Sequence, residues 1–470
     1  MKKILLILIP LFVFTRCENI LEDINVNPNE PTEAPADLLL IGAELANVTV
    51  QVSHLQRISG MWSGQYSGKL LLYKSLGEYN ISTEETNNTW SYIYQGIVKQ
   101  CRLMQTELAD LPNYVGIAKI LEAHAVGTAA EIFGDIPYSQ ATDANEEIED
   151  PVFDDQAAVF ASLQILLDGA IADLNSLPGN PSISNEIFHA GNKTKWIQTA
   201  YTLKARYYMD TKEYANAYTA AQSGIASNAN SMKFKPAGTS ANGNTNLLNV
   251  FVGERNDYMS TAGTYLESLI APGGGRNNAK TNEQARSKYY TIIGNAPSSE
   301  VGVAKATSPM PLVTYEENLL ILAEAGARTV DFATGLGHLN TLRAHLASGA
   351  AFTKVAASDA TTYAAYVTAD FDAGGMENDG VNLPTVTPLR ALLREIIEER
   401  YVSLYGTFAP FNDARRVRKS DGDLTVPFPI VSPVFTQFPE RFPYAQDELN
   451  ANSNAPSPEP GIFAVTAVNK

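Results

Sequence analysis

Tyr201-Thr-Leu203-Lys-Ala205, with Tyr214-Ala215 nine residues after Ala205 and Ala221 beyond, is one half of a repeated pattern. The other half is Leu319-Leu-Ile321-Leu-Ala323, with Phe332-Ala333 nine residues after Ala323 and then Leu339. A small residue at the middle of one helix lets a second helix approach closely, and the aromatic residue that opens the second helix fills the angle between them. This arrangement resembles the tetratricopeptide helix–turn–helix unit. Two unrelated helical hairpins with Ala at the crossing are the competing reading. The two copies lie far apart in the chain, so they do not form a simple tandem array. The pattern predicts a mainly α fold, with one tetratricopeptide-like helical-repeat layer and an irregular, loop-rich second layer.

Outward from these repeats, helical periodicity covers residues 86–110, 114–133, 153–176, 193–209, 212–227, 313–328, 334–347 and 387–404. An earlier helix starts at Asp37, a plausible N-cap, and carries Leu38, Ile41, Leu45, Val48 and Val52 as its apolar stripe. Loops and weak strands fill 228–312. Residues 350–385, rich in Ala, Asp and Gly, read as an inserted surface excursion. Residues 37–470 read as a single domain.

The first 16 residues read as a signal peptide: Lys2-Lys3, then an apolar run from Ile4 to Phe14 that is too short to span a bilayer. No Ala-x-Ala site follows. Cys17 comes directly after the run, as in a bacterial lipoprotein signal, which makes it the expected lipidated first residue of the mature chain. No other stretch of 18 apolar residues is evident, so this anchor is the expected membrane attachment. Residues 17–36 read as an extended leader. Their Asp23-Ile-Asn25-Val-Asn27 begins like a calcium loop and then fails at Pro28 and Ala34.

Composition removes several functions. The 470 residues carry 34 Lys and Arg against 51 Asp and Glu, a formal net charge of −17, which disfavours nucleic-acid binding. The basic cluster Arg415-Arg416-Val417-Arg418-Lys419 is short and reads as a charged helix end. Two cysteines provide no disulfide framework, and Cys101 reads as a buried free thiol. Five scattered histidines show no metal-ligand spacing. No catalytic constellation, phosphate loop or cofactor motif assembles. Gly335-Leu-Gly337-His-Leu-Asn340 lacks the third Gly of a dinucleotide loop. Glu395, Glu398 and Glu399 read as helix-surface, ion-pairing carboxylates.

The chain is well supplied with rings, 22 Tyr and 18 Phe. Sugar faces stack on aromatic rings, and sugar hydroxyls pair with Asn and Arg. Two Gly-bearing segments supply both groups. The first carries Trp62, Tyr66 and Tyr73; the second carries Arg276, Asn277, Asn278 and, further on, Tyr289. These seven are the candidate ligand-binding residues, with core packing as the alternative role for each ring.

Segments spread along nearly the whole chain resemble, in order, the SusD/RagB family of nutrient-binding outer-membrane lipoproteins. They are the Cys17 leader with Asp23-Ile-Asn25-Val-Asn27-Pro28, Phe133-Gly134-Asp135-Ile136-Pro137-Tyr138, Ala205-Arg206-Tyr207-Tyr208 and Leu322-Ala323-Glu324-Ala325. Ile396-Ile397-Glu398-Glu399-Arg400, Phe411-Asn412-Asp413-Ala414-Arg415-Arg416 and Arg441-Phe442-Pro443-Tyr444 complete the set. The stretch between Gly406 and Asp413 is longer than the common pattern, which points to a divergent branch. The resemblance implies a non-enzymatic protein, anchored at the outer membrane and facing outward. Its implied partner is a SusC-like TonB-dependent transporter, to which it would deliver captured oligosaccharide. Some relatives capture peptides instead. A secreted glycosidase is the remaining alternative.

Overall fold

The computed structural model describes residues 35–142, 148–238, 244–292, 301–381 and 384–470. Cys17, the signal segment and nearly all of the leader lie outside these residues.

The two repeats are helix pairs. Lys193–Asp210 is followed by Tyr214–Ala221, and Tyr315–Thr329 by Phe332–Ala347. Three of the four helices start where a side chain caps them. The side chains of Asn192, Thr314 and Asp331 accept hydrogen bonds from the backbone N–H of Lys195, Glu317 and Thr334, which satisfies donors that a helix N-terminus leaves free. Ala205 and Ala323 are fully buried. Gly335 shows how closely the second pair crosses, since a Cβ placed there would lie 2.5 Å from Ala327 Cβ.

The pairs stack on one another although some 90 residues separate them in sequence. Ala205, Met209, Ala217, Ala220 and Ala221 of the first meet Ile321, Leu322 and Ala325 of the second in a core of their own, flanked by Tyr208, Tyr214 and Tyr218. Residues 228–312 therefore form an insertion between stacked units. The long Pro112–Phe133 and Gln156–Ser176 helices extend this layer by packing on each other and on Lys193–Asp210. Both Ala36–Trp62 and Gln156–Ser176 are apolar enough over 18 residues to pass for membrane spans by composition. Each packs against Pro112–Phe133.

The second layer is irregular. Among the described residues its strands pair only in twos, all antiparallel: 67–68 with 259–260, 136–137 with 153–154, 232–234 with 310–313, and 281–282 with 362–363. Ala36–Val52 differs from its expected stripe. Leu38 and Leu45 face outward, while Leu40, Ala43, Val48 and Val50 are buried together with Glu44, Asn47 and Gln51. The buried polar side chains are held across the interface: Gln51 Nε2 donates to Thr128 Oγ1 at 2.8 Å, and Asn47 Nδ2 meets His124 Nδ1 at 3.1 Å.

Residues 350–385 are not confined to the surface. Phe352, Tyr363, Tyr366 and Phe371 are buried, and Thr362–Tyr363 pairs with Thr281–Asn282. The apolar residues are spaced too irregularly to show periodicity, yet each plugs the core. Arg415 and Arg416, expected at a charged helix end, are also buried. Arg416 Nη1 and Nη2 donate to Glu324 at 2.7 and 2.8 Å.

Candidate functional site

A cavity of about 610 Å³ opens between the repeat layer and the irregular layer. Five of its lining rings form a continuous run. Tyr66 meets Tyr405 edge-on at 5.2 Å, Tyr405 stacks on Tyr290 at 4.4 Å, Tyr290 contacts Tyr289 at 5.8 Å, and Tyr289 contacts Phe352 at 6.0 Å. The helix His54–Trp62 places Tyr66 through Gly60, because a Cβ at that position would lie 2.4 Å from the Tyr66 ring. Tyr405 follows the helix Pro388–Ser403, and its hydroxyl donates to the Tyr290 carbonyl at 3.1 Å.

Charged and polar groups line the cavity as well. Arg206 holds Glu317 through two bonds of 2.6 and 2.7 Å, and Arg400 Nε donates to Asp413 at 2.8 Å. Asn412 Nδ2 donates to Glu131 Oε2 at 2.8 Å. The Arg400 Nη1 donor is buried with no protein acceptor. Burial raises the Glu131 carboxyl pKa, an effect partly offset by Arg206. Burial and then the Glu131 charge raise Asp210 well above the ordinary carboxylate range. Glu131 Oε1 and Asp210 Oδ2 are both buried with no hydrogen-bond partner.

The candidate residues divide between two fates. Tyr66 and Tyr289 line the cavity. Trp62, Tyr73, Arg276, Asn277 and Asn278 do not. Trp62 is 1% exposed, stacks on Phe442 at 4.5 Å and donates through Nε1 to the Leu76 carbonyl at 2.8 Å. Tyr73 is buried, its hydroxyl accepting from Arg57 Nε at 2.9 Å. The glycines of this segment let rings pack inward rather than reach the surface.

Arg276 is likewise buried, among Glu283, Glu395, Glu398 and Glu399. Glu395 and Glu399 are therefore interior charges, not helix-surface ones. The side chains of Asn277 and Asn278 shape their own loop: Asn277 Nδ2 donates to the Ala271 carbonyl at 2.9 Å, and Asn278 Oδ1 accepts from Lys280 N at 2.9 Å.

Several cavity residues stood in plain view as fold motifs: Arg206, Arg400, Asn412 and Asp413. Glu131 carried a usable signal, an acid in the apolar run Ala129-Ala-Glu131-Ile-Phe133. Tyr405 and Phe352 carried none. Among the described residues no group of three His, Cys, Asp or Glu is arranged to hold a metal ion.

A family model described as "Starch-binding associating with outer membrane" matches residues 28–409. The chain belongs to the SusD-like family. SusD-like proteins bind glycans and other nutrients at the outer membrane, in association with SusC-like transporters, and are not enzymes. No curated protein sequence matches the chain. Solved structures share its fold. A SusD homolog from Bacteroides uniformis superposes with a TM-score of 0.68 at 17% identity, covering 93% of this chain and all (100%) of that one. A chitin-binding SusD homolog from Flavobacterium johnsoniae gives 0.67 at 16% identity over 92% and 98%. A SusD/RagB family protein from Bacteroides thetaiotaomicron gives 0.65 at 19% identity over 90% and 95%.

Proposed function

We propose that this SusD-like protein binds oligosaccharides in the cavity and delivers them to a SusC-like TonB-dependent transporter. In this reading it is held at the outer face of the outer membrane by lipid on Cys17. The run of five rings beside buried donors and acceptors carries the reading, because sugars need an apolar face to stack on and polar groups for their hydroxyls.

The test is calorimetry against the hexasaccharides of α-1,4-glucose, β-1,4-glucose, xylose, mannose and N-acetylglucosamine. The last enters because one structural relative is described as chitin-binding. At least one should bind without being hydrolysed. Tyr289→Ala, at a half-buried ring, should weaken binding by about tenfold, or ~1.4 kcal/mol, with little change in melting temperature. Binding of peptides and of no sugar would replace this reading. Intact mass of the mature chain tests the anchor: an N-terminus other than acylated Cys17 removes it.

A further inference from the structure

Among the described residues four cations line the cavity: Arg206, Lys233, Lys235 and Arg400. Lys235 is exposed and keeps its charge in water. The other three lie further in, and each already has an acid. Glu317 takes Arg206 through two parallel bonds of 2.6 and 2.7 Å, the fork geometry in which a guanidinium meets a carboxylate best. Lys233 Nζ donates to Asn228 Oδ1 at 2.6 Å and stands 3.8 Å from Glu316 Oε1. Arg400 donates to Asp413 at 2.8 and 3.3 Å and stands 3.8 Å from Glu324.

The inner cations differ in how far a ligand could reach them. The side chains of Arg206 and Lys233 are 17% and 16% exposed, that of Arg400 only 4%. Arg206 is thus the guanidinium most open to a ligand, and Glu317 occupies its fork. Glu131 and Asp210 add two further acids to the lining. Ionised or protonated, neither adds positive charge, so the inner cations are at most balanced.

An acidic sugar sheds water from its charge on entering a cavity, and only a cation free to pair with it offsets that loss. Here a carboxylate would have to displace Glu317 from Arg206, or lie among acids without a partner. A hydroxyl meets no such obstacle, because it donates to carboxylate oxygens and accepts from N–H groups without carrying charge. We infer that the cavity takes uncharged oligosaccharides and turns away uronates, and that Glu317 sets this choice by holding Arg206. The inference rests on the oligosaccharide reading above and narrows its ligand class.

The experiment compares each hexasaccharide of the panel with its uronate, a chain of the same linkage and ring stereochemistry bearing a carboxylate on C5. The methyl ester of that uronate is the control, with nearly the same shape and no charge. The neutral sugar that binds should lose roughly 100-fold in affinity as its uronate, and the ester should restore most of it. Glu317→Gln keeps the shape of the side chain and leaves the Arg206 charge unmatched. It should raise uronate affinity about tenfold relative to the neutral sugar, whereas a purely structural change would weaken all three ligands alike. A uronate that binds as tightly as its neutral parent, or in its place, overturns the inference and leaves oligosaccharide binding standing. Equal losses in uronate and ester assign the discrimination to size and also overturn it. An unaltered preference in Glu317→Gln removes Glu317 as its source. Failure of every neutral and acidic chain removes both readings.

Discussion

Trp62 and Tyr66 sit four residues apart in one Gly-rich segment and have different roles. Trp62 ends a helix whose buried face points into the core, and Phe442, Phe411 and Tyr79 surround its ring. Tyr66 lies past the turn, where its ring can border the cavity. Trp62→Ala should therefore cost about 3–5 kcal/mol, the usual range for a large buried ring. Thermal unfolding checks it. An unchanged melting temperature with lost glycan binding would return Trp62 to the site.

At the scale of elements, the helix pairs work because small residues occupy their crossings. A Cβ on Gly335 would lie 2.5 Å from Ala327 Cβ and 3.0 Å from the Ala323 carbonyl oxygen. Gly335→Ala should gain helix propensity, yet lose more to overpacking, with a net cost of about 1–3 kcal/mol. Ala323→Leu should cost a similar amount. Melting temperatures at or above wild type in both variants would mean that the crossing is looser than the described distances. The π-helical turn Tyr92–Val98 joins Asn87–Ser91 to Lys99–Glu107, so the helical pattern at 86–110 is one path with a local widening.

Across the whole molecule, four carboxylates surround Arg276, and two of them, Glu283 and Glu399, also bond Arg286. The acids exceed the guanidinium groups, so not all of them ionise with equal ease. Burial raises the Glu395 pKa to about 7, against the opposing effect of Arg276. Burial opposes ionisation of Glu399 too, but Arg286 and Arg276 prevail and hold it at about 2. A carboxyl raised on folding binds its proton more tightly in the folded state. Its contribution is fully present below the unfolded value near 4.3 and is lost as pH rises through about 7. Stability should therefore fall between pH 5 and pH 8, by about 1–3 kcal/mol from this group. Glu395→Gln should flatten that part of the profile. Denaturant titrations across this range decide it, and an equal slope in the variant would assign the effect to other acids, Asp210 first among them.

Much of the fold was legible in the sequence because helices declare themselves locally. Periodic apolar residues and Ala at the crossings are properties of neighbouring residues. The spacing from Ala205 to Tyr214 and from Ala323 to Phe332 marked both pairs before any contact was known. Family membership was legible in the order of short segments such as Phe133–Tyr138 and Arg441–Tyr444. The cavity was not legible, except in part. Tyr66, Glu131, Arg206, Tyr289, Phe352, Arg400 and Tyr405 come from distant parts of the chain, and only tertiary packing brings them around one space. The same packing sent Trp62 and Arg276 inward, because a ring or guanidinium beside glycines reaches water only if no other element covers it. Which face of a segment is covered depends on partners more than a hundred residues away, such as Phe442 for Trp62 and Glu399 for Arg276, and local sequence carries no record of them.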